Sequence, residues 1–155
     1  MIEMLPWLLL DVGNTAIKWR LAHPEGLLDQ GGRIASDPRA LCEALKGLAW
    51  SQAALCSVAG PSFDGDVIAT LSEISDAPVR QGVAAASRFG LTNAYQPSES
   101  IGADRWFAML GAWCEHKGSL CVVDAGTAIT IDVVTSNGHH EGGFIIPGVD
   151  LMRQS

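Results

Sequence analysis

The chain has 155 residues, with 17 acidic against 10 basic side chains and a formal net charge of −7 at pH 7. So few and so scattered lysines and arginines exclude a broad nucleic-acid footprint, and no nucleic-acid partner is expected. With 48% hydrophobic and 17% charged residues, the composition excludes a disordered chain and fits one ordinary domain or two small lobes.

The apolar run Leu5 to Leu10 has no basic residues before it and is interrupted by Asp11. It is too short for a membrane span or a signal peptide, so a cytoplasmic protein with no membrane partner is expected. Trp7 to Leu10 reads as a buried central strand and Ala16 to Ala22 as its hairpin partner, with a third strand over Leu27 to Ala35. Ser36-Asp37-Pro38 starts a helix, either Ser36 or Asp37 capping it and proline entering the first turn. Leu41, Ala44, Leu45 and Leu48 share one face of that helix. A short buried strand, Ala53 to Val58, leads through Gly60-Pro61 to a helix over Phe63 to Ile74, and Pro78-Val79-Arg80 begins another strand. Gly82 to Ser100 is the least regular stretch, and a loop of that length in a compact domain is expected to be functional or mobile.

Ile101 to His116 has helical spacing, with Trp106, Met109, Leu110 and Trp113 clustered as core or interface packing. From Leu120 the chain reads strand, turn and strand to Val134, then a hairpin turn at Ser136-Asn137-Gly138 and a strand from Gly142 to Ile146. The final residues begin a helix. The cysteines Cys42, Cys56, Cys114 and Cys121 form no C-x-x-C pair and have no histidine at zinc-finger spacing, so reduced thiols in a reducing compartment are expected.

One signature occurs twice. Leu8-Leu9-Leu10-Asp11-Val12-Gly13-Asn14-Thr15-Ala16-Ile17 recurs as Cys121-Val122-Val123-Asp124-Ala125-Gly126-Thr127-Ala128-Ile129, one residue shorter in the turn. An acid at a strand end can hold a hydrated cation, glycine admits backbone amides close to an anion, and threonine adds a hydroxyl donor. Two such turns suggest a duplicated fold clasping a nucleotide between its halves, and so phosphoryl transfer. Three strands in hairpin order followed by alternating helices and strands give the ribonuclease H-like pattern, an α/β fold with mixed sheets. The expected organisation is a first lobe over 1–117, including the Ile101 to His116 helix, and the start of a second, incomplete lobe over 118–155.

Residue chemistry agrees with phosphoryl transfer, which demands positioning and charge neutralisation more than covalent work. Asn14, Thr15 and the amides around Gly13 can cradle phosphate oxygens, and Asp11 can orient a magnesium-bound water. Lys18 lies three positions beyond Thr15, where its charge falls short of the phosphates. Asp104, near a helix start, is placed to accept a hydroxyl proton, and Arg105 offers a planar fork suited to a carboxylate. Structural readings stand beside these. Asp11 and Asp124 could cap turns, Asp104 could complement the helix dipole, and Arg105 could be a surface charge or the ion-pair partner of Asp104. Tyr95 could face solvent, His139-His140 are expected to face water, and the glycines from Gly142 to Gly148 could mark a strand end too tight for side chains.

The motifs also carry a family resemblance. Asp11-Val12-Gly13-Asn14-Thr15-Ala16-Ile17-Lys18-Trp19 resembles the D-x-G-N-[ST]-x-x-K-W start of type III pantothenate kinases, members of the sugar kinase, heat-shock ATPase and actin superfamily. Gly102-Ala103-Asp104-Arg105 is similar to that family's G-x-D-R motif, Asp124-Ala125-Gly126-Thr127-Ala128 to its D-x-G-T-A motif, and Gly142-Gly143-Phe144-Ile145-Ile146-Pro147-Gly148 to G-G-x-I-x-P-G. The resemblance implies ATP-dependent phosphorylation of the primary hydroxyl of pantothenate, the first step towards coenzyme A, by a homodimer. It implies that Asp11, Val12, Gly13, Asn14, Thr15, Ala16, Ile17 and Lys18 form the nucleotide-phosphate loop and that Thr127 also faces ATP. By the same likeness Tyr95, Gly102, Ala103, Asp104 and Arg105 hold pantothenate, with Asp104 the catalytic base and Arg105 on the substrate carboxylate. Asp124 matches the position of a monovalent cation, K+ or NH4+, and Mg2+ is required as well.

Family chains run on past this length and supply a further pantothenate-contacting threonine, so this chain is expected to be less stable than an extended one. The rival readings are a non-catalytic relative serving as accessory factor to a transcriptional activator, and a superfamily phosphatase acting on polyphosphate. The second would want a basic channel that an acidic chain lacks. A ligand-binding module without turnover is the third.

Overall fold

The computed structural model describes residues 5–154. Two compact units divide the chain, one through Gly82 and one from Val83 onward. The first contains strands β1 (Trp7–Val12), β2 (Ala16–His23) and β3 (Gly26–Ala35), helix α1 (Pro38–Leu45), strand β4 (Gln52–Ser57), helix α2 (Pro61–Ile74) and strand β5 (Val79–Gly82). Its five-stranded sheet has the order β3-β2-β1-β4-β5. Strand β1 runs antiparallel to β2 and parallel to β4, and β4 parallel to β5, so the sheet is mixed, as the hairpin-then-crossover reading anticipates.

Alternation along β1 sends Leu8, Leu10 and Val12 inward, where they meet Ile17, Leu21, Leu41, Leu45, Leu55, Val67 and Leu71 in the first core. Each fully buried leucine there contributes about 1.5–3 kcal/mol relative to exposure. Helix α1 starts because Asp37 accepts the Arg39 backbone N–H at 2.9 Å and Pro38 presets the first turn. It buries Leu41 and Leu45 completely. Helix α2 turns an acid inward as well. Asp64 accepts the Ser57 hydroxyl and, at 2.7 Å, the Gln81 side-chain amide, tying β4, α2 and β5 together. The helical spacing of Val67, Ile68 and Leu71 gave no warning of this buried polar knot.

The second unit contains short strands β6 (Ser87–Arg88) and β7 (Leu91–Thr92), a 3-10 turn at Ser98–Ser100, and helix α3 (Ala103–His116). Strands β8 (Leu120–Ala125), β9 (Ala128–Val134) and β10 (His140–Pro147) and helix α4 (Val149–Gln154) follow. The three strands form an antiparallel sheet ordered β10-β9-β8. Helix α3 lies on β8 and β9, and its Trp106, Met109, Leu110 and Trp113 build the second core with Leu91, Ile101 and Val134. The tryptophans and Met109 are thus core residues within this unit.

The irregular stretch after Gly82 is pinned in place by one buried residue. Asn93 donates to the Ala85 and Ser98 carbonyls at 3.3 and 3.1 Å, and its side-chain oxygen accepts the Tyr95 N–H at 3.0 Å. The boundary of compactness after Gly82 groups α3 with the second sheet. We propose the 117/118 division as the boundary between copies of the strand pattern, which is a different property; residues 1–4 and 155 of those lobes lie outside the described residues.

Candidate functional site

The first turn joins β1 to β2. The Gly13 N–H donates to the Ala16 carbonyl at 3.0 Å and closes the turn from within. From the β3–α1 junction, the Ser36 hydroxyl donates to the Gly13 carbonyl at 2.7 Å and the Ser36 N–H to the Thr15 carbonyl at 3.3 Å. The Gly13 amide is therefore committed internally, and Asn14 and Thr15 form the exposed tip that an anion can meet. Val12, Ala16 and Ile17 are buried, so their side chains support the turn from the core side.

Cross-strand register places Asp11 opposite Lys18 on β2 and Cys56 on β4. The Lys18 ammonium sits 3.0 Å from Asp11 Oδ2, and the Cys56 thiol donates to Asp11 Oδ1 at 3.8 Å. The charge of Lys18 is thus directed at Asp11.

The second turn joins β8 to β9 and is one residue tighter, with the Gly126 N–H donating to the Ala128 carbonyl at 2.9 Å. It is braced from the end of β10, where the Gly148 N–H donates to the Thr127 carbonyl at 2.9 Å. A Cβ at position 148 would stand 2.3 Å from the Gly126 carbonyl oxygen and 2.5 Å from that of Thr127. Only glycine permits this approach, which accounts for the last glycine of the Gly142-to-Gly148 motif. Asp124 and Thr127 are exposed. No group of three or more His, Cys, Asp or Glu among the described residues could hold a metal ion alone. A divalent cation here would rest on one or two carboxylates, water and ligand phosphates, the coordination that magnesium favours.

Helix α3 opens at Gly102 without a side-chain cap, with Ala103 and Asp104 in its first turn. Asp104 is half-buried and accepts the Arg105 backbone N–H at 2.7 Å. Arg105 falls on the inward face of the helix with Trp106, Met109 and Trp113, and so points its fork at the sheet. There its Nε donates to Asp132 Oδ2 at 2.9 Å and its Nη2 to Asp132 Oδ1 at 2.6 Å, with both side chains buried. The hydrogen bond to Asp132 pushes the arginine pKa up despite burial, with Tyr95 adding to the effect. His140 Nε2 lies 2.9 Å from Asp132 Oδ1. The Tyr95 ring stacks on His140, centroids 5.8 Å apart, and the Arg105 guanidinium carbon lies 5.7 Å from the centre of the Tyr95 ring.

Two expectations are corrected here. The ion-pair partner of Arg105 is Asp132, since the helix face that carries Arg105 turns it away from solvent. His140 does not face water; it is fully buried, because β10 begins at His140, which pairs with the buried Val134 and meets the buried Asp132 at 2.9 Å. Tyr95 and Arg105 are brought together, while Asp104 precedes Arg105 on the helix and Asp124 and Thr127 belong to the separate second turn. The sequence reading missed Asp132 and His140. The signal for Asp132 was available: an acid in the run Ala128–Val134, on the same strand face as Val134, which is fully buried. A groove of about 320 Å³ between α1 and α2, lined by Pro38, Arg39, Cys42, Glu43, Thr70 and Glu73, contains none of the expected site residues.

Solved structures define the architecture. A Sinorhizobium meliloti protein described as a 2-dehydro-3-deoxygalactonokinase is similar with a TM-score of 0.55 at 14% identity, over 96% of this chain and 55% of that one. The ethanolamine utilization protein EutJ of Carboxydothermus hydrogenoformans is similar with a TM-score of 0.51 at 14% identity, over 94% of this chain and 55% of that one. The fold is the ribonuclease H-like α/β architecture of the actin-like ATPases and sugar kinases.

Sequence gives the particular family. The family model described as Type III pantothenate kinase matches residues 7–155, and the chain belongs to that family. A Type III pantothenate kinase of Marinobacter nauticus is 41% identical over 153 residues, covering 96% of this chain and 61% of that protein. One of Halorhodospira halophila is 38% identical over 157 residues, covering 96% and 62%. The chain thus spans about three-fifths of the length of the curated relatives it matches.

Proposed function

We propose that the protein transfers the terminal phosphoryl group of ATP to the primary hydroxyl of pantothenate, giving phosphopantothenate, the first step towards coenzyme A. The observation that carries this reading is membership of the type III pantothenate kinase family over residues 7–155, with Asp11, Asp104 and Asp124 all present in their motifs.

In this reading Asp104 takes the proton of the attacking hydroxyl, as a carboxylate within hydrogen-bond reach of the substrate can. Arg105 and Tyr95, already adjacent, receive the carboxylate end of pantothenate beside Gly102 and Ala103. The exposed tip of the first turn, Asn14 and Thr15, meets phosphate oxygens above the buried support of Val12, Ala16 and Ile17, and Thr127 does so from the second turn. Asp11, a single carboxylate at a strand end, suits a magnesium-bound water, and Asp124 would hold a monovalent cation, K+ or NH4+, by its likeness to the family's D-x-G-T-A motif. When bound, the metal neutralises charge on the phosphate oxygens. Lys18, held on Asp11, balances that carboxylate until a cation competes for it.

The reading includes a homodimer and a cytoplasmic setting. All four cysteines are free, which suits a reducing compartment. No helix among the described residues is long and apolar enough to cross a membrane. An accessory factor without turnover and a polyphosphate phosphatase are disfavoured, the first by the intact acids and the second by the net charge of −7.

A coupled assay of ADP release, with and without pantothenate and with potassium exchanged for sodium, tests the proposal. Pantothenate-dependent release that falls in sodium is the expected result. Release at the same rate without pantothenate would assign the protein to another reaction.

A further inference from the structure

The cluster of Tyr95, Arg105, Asp132 and His140 draws on three separate segments of the second unit: the stretch before α3, the first turn of α3, and the β9–β10 hairpin. Its charged members are almost wholly buried, with Arg105 6% and Asp132 2% exposed, and His140 has no exposure at all. A buried ion pair of this kind is a poor stabilising device, since apolar residues of similar volume often stabilise as well or better. The fold nevertheless makes room for it. At the β10 position opposite Asp132, a Cβ on Gly143 would stand 2.3 Å from Asp132 Oδ1 and 2.6 Å from Arg105 Nη2.

The Asp132 carboxylate occupies the Nε–Nη2 edge of the arginine. A guanidinium carries five N–H donors, so donors remain beyond the two that Asp132 takes, and Tyr95 lies beside them. His140 Nε2 meets the same Oδ1 that Arg105 Nη2 uses, while the buried His140 Nδ1 has no hydrogen-bond partner among the described residues. The ring is therefore held by one hydrogen bond and by the stack on Tyr95. The same carboxylate thus sets the arginine directly and, through His140, the tyrosine.

We propose that Asp132 and His140 are positioning residues that orient Arg105 and Tyr95 towards the carboxylate of an anionic ligand. Resting on the reading above, that ligand is pantothenate. Neither residue touches it. Asp132 fixes the plane of the guanidinium, and with it the direction of the donors that Asp132 does not occupy, and His140 fixes Asp132. Losing this orientation removes the preference for a carboxylate ligand before it removes binding of the rest of the molecule.

The test compares pantothenate with pantothenol, the same molecule bearing a CH2OH group in place of the carboxylate. Both are titrated into the wild-type protein, Asp132→Asn and His140→Phe, with thermal unfolding as the control for folding. His140→Phe keeps a ring against Tyr95 and removes only the Nε2 bond, so it serves if Asp132→Asn does not fold. A charge-assisted, fixed fork should favour pantothenate by about tenfold or more in the wild type. The ratio should collapse to near unity in Asp132→Asn and fall severalfold in His140→Phe. A general structural role would weaken both ligands alike and leave the ratio unchanged, and that result would overturn the proposal.

If the wild type binds neither compound, the substrate reading fails, and exchange of the Arg105 Nε–H followed by NMR decides the positioning claim separately. Slow exchange in the wild type with faster exchange in His140→Phe supports it. Equal exchange rates in the two proteins overturn it.

Discussion

The two D-x-G turns begin from nearly the same residues and end in different surroundings. The first lies inside a sheet: Asp11 is flanked by Lys18 on one neighbouring strand and Cys56 on the other, and Ser36 clamps the turn from outside. The second lies on β8, which has a partner strand only on its β9 side among the described residues, and Asp124 is exposed. Its brace is a backbone contact from Gly148. Acid–base pairs follow the opposite pattern. The first unit keeps Lys18–Asp11 and Lys46–Glu43 at the surface, whereas the second buries Arg105–Asp132 almost wholly. A shared motif thus fixes the path of the turn, and the neighbouring elements decide whether its acid is paired, braced or open.

The contrast between the pairs should give the largest effect. Asp132→Ala leaves the Arg105 charge buried and unpaired, and should cost about 3–5 kcal/mol of unfolding free energy in urea melts. The raised pKa of Arg105 keeps its charge at every pH below the ordinary arginine range, so its contribution holds through that range and is lost only as pH rises above it. A stability profile that fell between neutral and mildly alkaline pH because of this pair would contradict its geometry. Gly148→Ala comes next. A Cβ forced against two carbonyl oxygens should cost about 2–4 kcal/mol, while Gly13→Ala, whose Cβ would lie 3.2 Å from the Ala16 oxygen, should cost about 1 kcal/mol or less. Equal losses at the two glycines would erase the distinction between the turns.

Ser36→Ala removes the hydroxyl clamp on the Gly13 carbonyl and should cost about 1 kcal/mol, read as a shift of the urea midpoint. The smallest effect should come from Lys18→Ala. Both partners of that pair are well exposed, so its loss should change stability by under about 1 kcal/mol at low salt and vanish as salt is added. A larger, salt-independent loss would mean that the surface pair resembles the buried one after all.

Much of the first unit was legible because its signals are local. Alternation marked β1, the Asp37-Pro38 start marked α1, and helical spacing picked out Leu41, Leu45, Val67 and Leu71. The repeated turn was legible for the same reason, and its one-residue difference reappears as the tighter closure at Gly126. What escaped notice was set by partners distant in sequence. Asp64 reads as an ordinary early-helix acid until Ser57 and Gln81 arrive from β4 and β5. Asn93 reads as a loop asparagine until the chain folds back on it from both sides. Arg105 reads as a surface charge, a partner of Asp104 or a fork for a carboxylate, and only Asp132, 27 residues on, makes its burial tolerable. His140 was misjudged with its neighbour His139 because a strand expected to begin at Gly142 begins two residues earlier.

The central claim is phosphoryl transfer to pantothenate with Asp104 as the base. Its most direct test is mass-spectrometric detection of phosphopantothenate formed from ATP, magnesium, potassium and pantothenate by the protein and by its Asp104→Asn variant. Product from the wild type and a drop of about a hundredfold or more in the variant are expected, as when a general base is removed. Product formed at equal rates by both proteins would contradict the assignment of the base, and no product from either would contradict the reaction itself.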